Sequence, residues 1–181
     1  MKLPSFAKLT VLGALVISLQ VGCTTTTPTM ASHCPQKYSQ HYADTARGFS
    51  LCLPSGVTKT ASGATVTFTG FAVPAGTNLE AKTLVIVPGN YEFLQGATST
   101  GSITADGVVQ QRVQLDDGSA GHSTRHIIYT WKQGAKIVHF DFTHRSVNVG
   151  NFDPANRPQE YDRAAQLKIT EEIMSTFKRL P

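Results

Sequence analysis

His139, Asp141 and His144 lie within six residues, a spacing that invites a metal-binding or acid–base reading. On a strand, His139 and Asp141 share a face, and His144 falls on the other unless the chain bends. Zinc needs about three convergent ligands near 2.1 Å, so two residues on one face assign no metal. The competing account is the polar face of a half-buried strand, with Asp141 orienting His139. Upstream, Gly121-His122-Ser123-Thr124-Arg125 begins like the hydrolase elbow GxSxG but carries Arg where the second Gly belongs. That elbow needs small residues because its strand-to-helix turn is strained, and here a strand follows. A polar loop before a strand accounts better for Ser123. These residues assign no catalytic set and no cofactor.

The richest polar constellation is His144, Arg145, Asn148, Asn151 and Asp153. Asn side chains satisfy loop backbone through Asx-turns, which is one account of them. The other is a binding loop that presents donors to a carboxylate, a sugar or a partner protein, with Phe152 and Tyr161 beside it as aromatic anchors. This loop is the candidate binding site.

Three cysteines speak to location. Lys2 and Lys8 precede the apolar run Leu9 to Leu19, which is followed by Gln20-Val21-Gly22-Cys23. Eleven helical residues at about 1.5 Å each span only about half of a bilayer core roughly 30 Å thick, so a secretory signal fits better than a membrane span. Leu19 to Cys23 resembles a lipobox. Val21 and Gly22 suit its last two positions, and Gln20 departs from the usual Leu. The expectation is a signal peptide over 1–22, cleavage before Cys23 and lipidation of that cysteine; an ordinary secreted protein cut elsewhere is the alternative. Lipid would then be the membrane anchor. Thr24, rather than Asp, follows the cysteine; by resemblance to the sorting rule of enteric bacteria this favours the outer membrane, facing the periplasm. Cys34 and Cys52 remain. In an oxidising compartment two such cysteines most simply form a disulfide, the alternative being two buried thiols.

Composition narrows the classes further. The chain has 181 residues and is 40% hydrophobic with nine Phe, enough for one domain with a real core. Without Lys2 and Lys8 the balance is 14 basic minus 12 acidic residues, or +2, and no basic run of five or six residues exists. Nucleic acid is therefore a poor partner.

The elements that must position these side chains follow from periodicity. Residues 23–33, rich in Thr and broken by Pro28, read as a tether, with one domain over 34–181. Gly48 to Pro54 alternates, with Phe49, Leu51 and Leu53 on one face. Ala64 to Pro74 alternates with a parity slip that a bulge at Gly70 would absorb. Thr83 to Val87 is continuously apolar, as a central strand would be. Gly89 to Gly107 reads as loop, with short strands possible around Tyr91 to Leu94. Val108 to Leu115 is a strand ended by Asp116-Asp117-Gly118. Ile127, Tyr129 and Trp131 lead into a turn at Lys132-Gln133-Gly134, and Val138, Phe140 and Phe142 return. Asn156 and Pro158 then suit a helix start. Tyr161, Ala165, Ile169, Ile173 and Phe177 recur every four residues as one apolar stripe. Strands first and a helix last define an α+β domain, an antiparallel β-sheet packed by a C-terminal amphipathic helix.

Three stretches carry a resemblance: Gly48 to Pro54 (GFSLCLP), Phe142 to Phe152 (FTHRSVNVGNF), and Tyr161-Asp162-Arg163-Ala164-Ala165 through Ser175-Thr176-Phe177. Together with Thr77-Asn78-Leu79 they are similar to a group of bacterial lipoproteins and exported proteins of unknown function. Those carry a His-Ser-x-Asn-x-x-Asn-Tyr loop and then Phe-Asp-Arg-Ala-Ala opening a helix that closes on Thr-Phe. Here Arg145 lies between His144 and Ser146, Phe152 stands for Tyr, and Tyr161 stands for Phe. The pattern also resembles the PsbP-like α/β/α sandwich, which implies non-enzymatic binding or assembly. The expected function is accordingly a non-catalytic envelope lipoprotein, a periplasmic binding or assembly module with an envelope-protein partner. Two alternatives stand beside it. One is an immunity or inhibitor lipoprotein that neutralises a toxin or lysozyme-like enzyme; the other is a hydrolase or metalloenzyme built on Ser123 or on His139, Asp141 and His144.

Overall fold

Period-two alternation, which turns successive side chains to opposite faces, dominates the computed structural model, which describes residues 34–181. The signal segment, Cys23 and the tether lie outside the described residues. In chain order the strands are β1 (Gln40–Asp44), β2 (Phe49–Leu53), β3 (Thr58–Ser62), β4 (Thr65–Thr69), β5 (Leu79–Pro88), β6 (Gly101–Ala105), β7 (Val108–Ser119), β8 (His122–Gln133), β9 (Lys136–Val147) and β10 (Lys178–Arg179), with the helix α1 (Arg163–Ser175) before the last. Seven strands form one antiparallel sheet in the order β3-β4-β5-β9-β8-β7-β6, and β1-β2-β10 form a second. Mostly antiparallel sheet with one C-terminal helix is the expected α+β class.

The seven-stranded sheet has an inner face built from one parity of its strands. Phe68, Leu84, Ile86, Ile127, Tyr129, Trp131, Val138, Phe140 and Phe142 are buried on it. β2 and α1 pack against this face. The Phe49 ring meets Phe140 edge-on at 5.0 Å and stacks on Phe177 at 6.0 Å, while Trp131 meets Phe177 at 5.2 Å. All five residues of β2, the middle strand of its sheet, are buried, not only Phe49, Leu51 and Leu53. Cys52, on the opposite parity of β2, is joined to Cys34 by a disulfide, as expected.

Several boundaries differ from the sequence expectation. No bulge forms at Gly70: β4 ends at Thr69, Gly70 turns with φ +84°, and Phe71 folds back against the core. The parity slip marks departure from the sheet. The strand after Val108 runs through Asp116-Asp117-Gly118 to Ser119, its backbone held by pairing with β8. Tyr91 to Leu94 holds a 3-10 turn at Glu92–Leu94 instead of a strand.

The helix starts later than Asn156 and Pro158 suggest. Asp162 caps it, accepting from the backbone N–H of Ala164 (2.9 Å) and Ala165 (3.0 Å). The residues ahead of it are held extended, with Thr77 bridging Gln159 and the Asn78 side chain accepting from Tyr161 N–H at 2.9 Å. Gln166, Thr170, Ile173 and Met174 form the buried stripe, and Ala165 is exposed. The physical reason is angular. A step of four residues overshoots a 3.6-residue turn by about 40°, so a strict four-residue stripe walks around the helix.

Candidate functional site

The outer face of the seven-stranded sheet carries the polar chemistry. β8 and β9 form a hairpin about Gly134-Ala135 whose register sets Ile128 opposite Asp141, Thr130 opposite His139 and His126 opposite Thr143. His126, His139 and Asp141 are thereby gathered on one face. Asp141 is 0% exposed. Its Oδ2 lies 2.8 Å from His126 Nδ1 and accepts from the Tyr91 hydroxyl at 2.6 Å, while its Oδ1 is buried without a partner. Leaving a buried acceptor unmet costs about 1–3 kcal/mol, so this group is retained at an energetic penalty.

What covers Asp141 is the segment 89–100. It is tied at one end by Gly89 N–H to Ile137 O (2.9 Å) and at the other by Thr100 N–H to Arg112 O (2.8 Å). Between them two rings lie on the sheet. Phe93 stacks on the His126 imidazole at 4.3 Å, and Tyr91 stacks on His139 at 5.8 Å. His139 is buried with both nitrogens engaged. Nε2 lies 2.7 Å from the Gly89 carbonyl and so donates to it, which leaves Nδ1 to accept from the Thr130 hydroxyl at 3.0 Å. Burial pushes the His139 pKa down against the opposing pull of that carbonyl, and the Lys132 charge pushes the same way. Burial and then the Asp141 acceptor push the Tyr91 hydroxyl well up, so it stays protonated and donating. Beside these rings the segment and the sheet enclose a cleft of about 800 Å³, within the usual range of small-molecule sites. Leu94, Val109, Val113 and Ile137 give it apolar walls; Gln111, Thr130 and Lys132 give it polar ones. Val109 is 56% exposed there.

The five loop residues singled out from the sequence scatter. His144 has the opposite parity to Asp141 and is buried on the inner face, edge-on to the Tyr161 ring at 6.1 Å. Its Nδ1 has no partner. Burial, then the nearby charges of Lys82 and Arg125, push its pKa down to about 4. Arg145 is exposed, 3.5 Å from Glu80, which also meets His122 Nδ1 at 3.1 Å. The Asn148 side chain accepts from Gly150 N–H at 2.9 Å and starts a 3-10 turn, the Asx geometry of the loop account. Asn151 Nδ2 donates to Gly121 O at 3.3 Å, and Asp153 is exposed. Asn148 also lines a second, polar cleft of about 400 Å³ with Asn78, His122, Ser123, Ser146 and Arg163.

Two expectations about individual side chains are corrected. Asp141 does not orient His139; it holds His126 and Tyr91. Ser123 lies inside β8 rather than in a loop before it. Among the described residues no three His, Cys, Asp or Glu side chains are grouped so as to hold a metal ion. Sequence reasoning passed over His126, Tyr91 and Phe93. The signal for His126 was the hairpin register: folding the chain about Gly134-Ala135 puts it on the face of Asp141. Tyr91 and Phe93 sit in an irregular segment and carried no such signal.

No family model matches the chain, and no curated protein matches it. Among solved structures the chain is similar to one from Bacteroides thetaiotaomicron VPI-5482, at 12% identity and a TM-score of 0.45, over 78% of this chain and 48% of that one. The chain thus spans about half the length of that structure.

Proposed function

We propose that this chain is an exported lipoprotein, cut before Cys23 and held to the bacterial outer membrane by lipid on that residue, which acts as a non-catalytic binding or assembly module for another envelope component. The observation that carries this reading is the cleft beside the segment 89–100, whose walls combine aliphatic side chains, Val109 exposed among them, with amide, hydroxyl and ammonium groups. The Cys34–Cys52 disulfide supports export, since such bonds persist in oxidising compartments. Among the described residues no helix is long and apolar enough to cross a membrane. The antiparallel sheet backed by a helix that ends at Thr176-Phe177 supports kinship with the PsbP-like sandwich and with exported lipoproteins.

Cys23→Ser is the direct test. The wild-type protein should stay with salt-washed membranes and the variant should move to the soluble periplasmic fraction. Cross-linking of the wild type in intact cells should then capture a reproducible envelope component. Membrane retention of the serine variant, or a soluble wild type, overturns the reading.

A further inference from the structure

The segment 89–100 touches the sheet in an unusual way. Its two ends are fixed by backbone hydrogen bonds, and Gly89 (φ +79°) and Gly96 (φ +73°) place left-handed turns on either side of Asn90 to Gln95. Between these glycines the segment is tied down by side chains: the Tyr91 hydroxyl on Asp141, the Tyr91 ring on His139 and the Phe93 ring on His126. Beneath it lies a carboxyl group that is fully buried and has one oxygen unmatched. A buried acid in a sheet face lowers stability unless well partnered. The cleft opens beside the Tyr91 ring, so a ligand seated there adjoins the same ring slot.

We propose that residues 89–96 are a hinged strap whose Tyr91 and Phe93 occupy the place of a ligand, and that the ligand displacing them carries a flat ring with a hydroxyl donor. The chemistry of the slot defines that class. Asp141 accepts a hydrogen bond from a hydroxyl, the His126 and His139 imidazoles stack against flat rings, and Val109, Val113 and Ile137 on the sheet take an attached apolar group. A phenol or a similar aromatic alcohol meets all three demands, whereas a purely aliphatic chain leaves Asp141 unmet once the strap lifts. This inference rests on the binding-module reading and names what the module binds.

Hydrogen exchange on the full chain tests it, with p-cresol as the probe and toluene as the ring that lacks a donor. Amides of residues 90–98 should exchange at least tenfold faster than those of β8 in the free protein. p-Cresol should speed them a further severalfold, while toluene should leave them unchanged. Asp141→Leu, which removes the acceptor, should erase the response to p-cresol. Tyr91→Phe, which removes only the hydroxyl tie, should raise strap exchange without any probe and keeps the test valid if the Asp141 variant does not fold. Strap exchange no faster than that of β8, equal responses to the two probes, or no response to p-cresol overturns the proposal. Failure here with membrane retention and partner capture intact retires the strap alone; a strap that answers p-cresol in a protein with no lipid anchor and no partner retires the envelope reading alone.

Discussion

His144 shows how one parity step separates a ligand-facing histidine from a core one. It lies three residues past Asp141, on the face that packs under Tyr161, and burial holds its pKa near about 4, against an ordinary value of about 6.5. The folded state therefore resists a proton that the unfolded chain accepts readily. Stability is fully present above pH ~6.5 and is lost progressively as pH falls toward ~4, by up to about 3 kcal/mol. His139, also depressed by burial, adds in the same direction. Urea unfolding midpoints at pH 7.5 and pH 4.5 should differ markedly in the wild type, and His144→Phe should reduce the difference by more than half. An unchanged pH slope in that variant would place the titration elsewhere. The sequence stated the parity of His139, Asp141 and His144 correctly, because a strand imposes it. It paired Asp141 with the wrong histidine, His139 rather than His126, since the true partner stands on the neighbouring strand.

Elements are pinned by polar ties that leave almost no trace in hydrophobic patterning. Asn78 is the clearest case. Its Oδ1 accepts from Tyr161 N–H and its Nδ2 donates to Val147 O at 2.8 Å, so one side chain joins β5's approach, the end of β9 and the entry to α1. Removing it strands a buried backbone donor. Asn78→Ala should cost about 2–3 kcal/mol in chemical unfolding. Asp162→Ala, which removes only the exposed helix cap, should cost about 1 kcal/mol. If the two variants are equally mild, the tie at Asn78 carries no special weight. These bonds also explain why the helix start was misplaced. Asn156 and Pro158 have the right chemistry for a helix entry, but the pairing of Thr77 with Gln159 and of Asn78 with Tyr161 keeps that stretch extended. The hairpin β8–β9 was easier to read, because Ile127, Tyr129 and Trp131 on one side and Val138, Phe140 and Phe142 on the other alternate about a short turn, although β8 runs on through Lys132 and Gln133 and the turn falls at Gly134-Ala135.

Across the whole molecule, local periodicity revealed the class of fold but not its layering. No pattern announced that β2 would be sealed on both faces in a separate three-stranded sheet, since Ser50 and Cys52 look like a solvent-facing parity. The disulfide explains part of that burial. Cys34 and Cys52 are separated by 18 residues, and a loop of that size constrains the unfolded chain by roughly 3 kcal/mol in the chain-entropy model. Reduction, or Cys34→Ser with Cys52→Ser, should lower the unfolding free energy by about that amount while leaving the seven-stranded sheet intact by circular dichroism. Loss of the fold altogether would mean the small sheet depends on the bond.

The same covalent link redirects mechanical load. Tension applied ahead of Cys34 does not peel away the edge strand β1; it passes through sulfur into Cys52, inside a strand hydrogen-bonded on both sides. The chain from 35 to 51 is thereby excused from stretching, and force on the amino-terminal end is borne by the best-shielded segment of the smaller sheet.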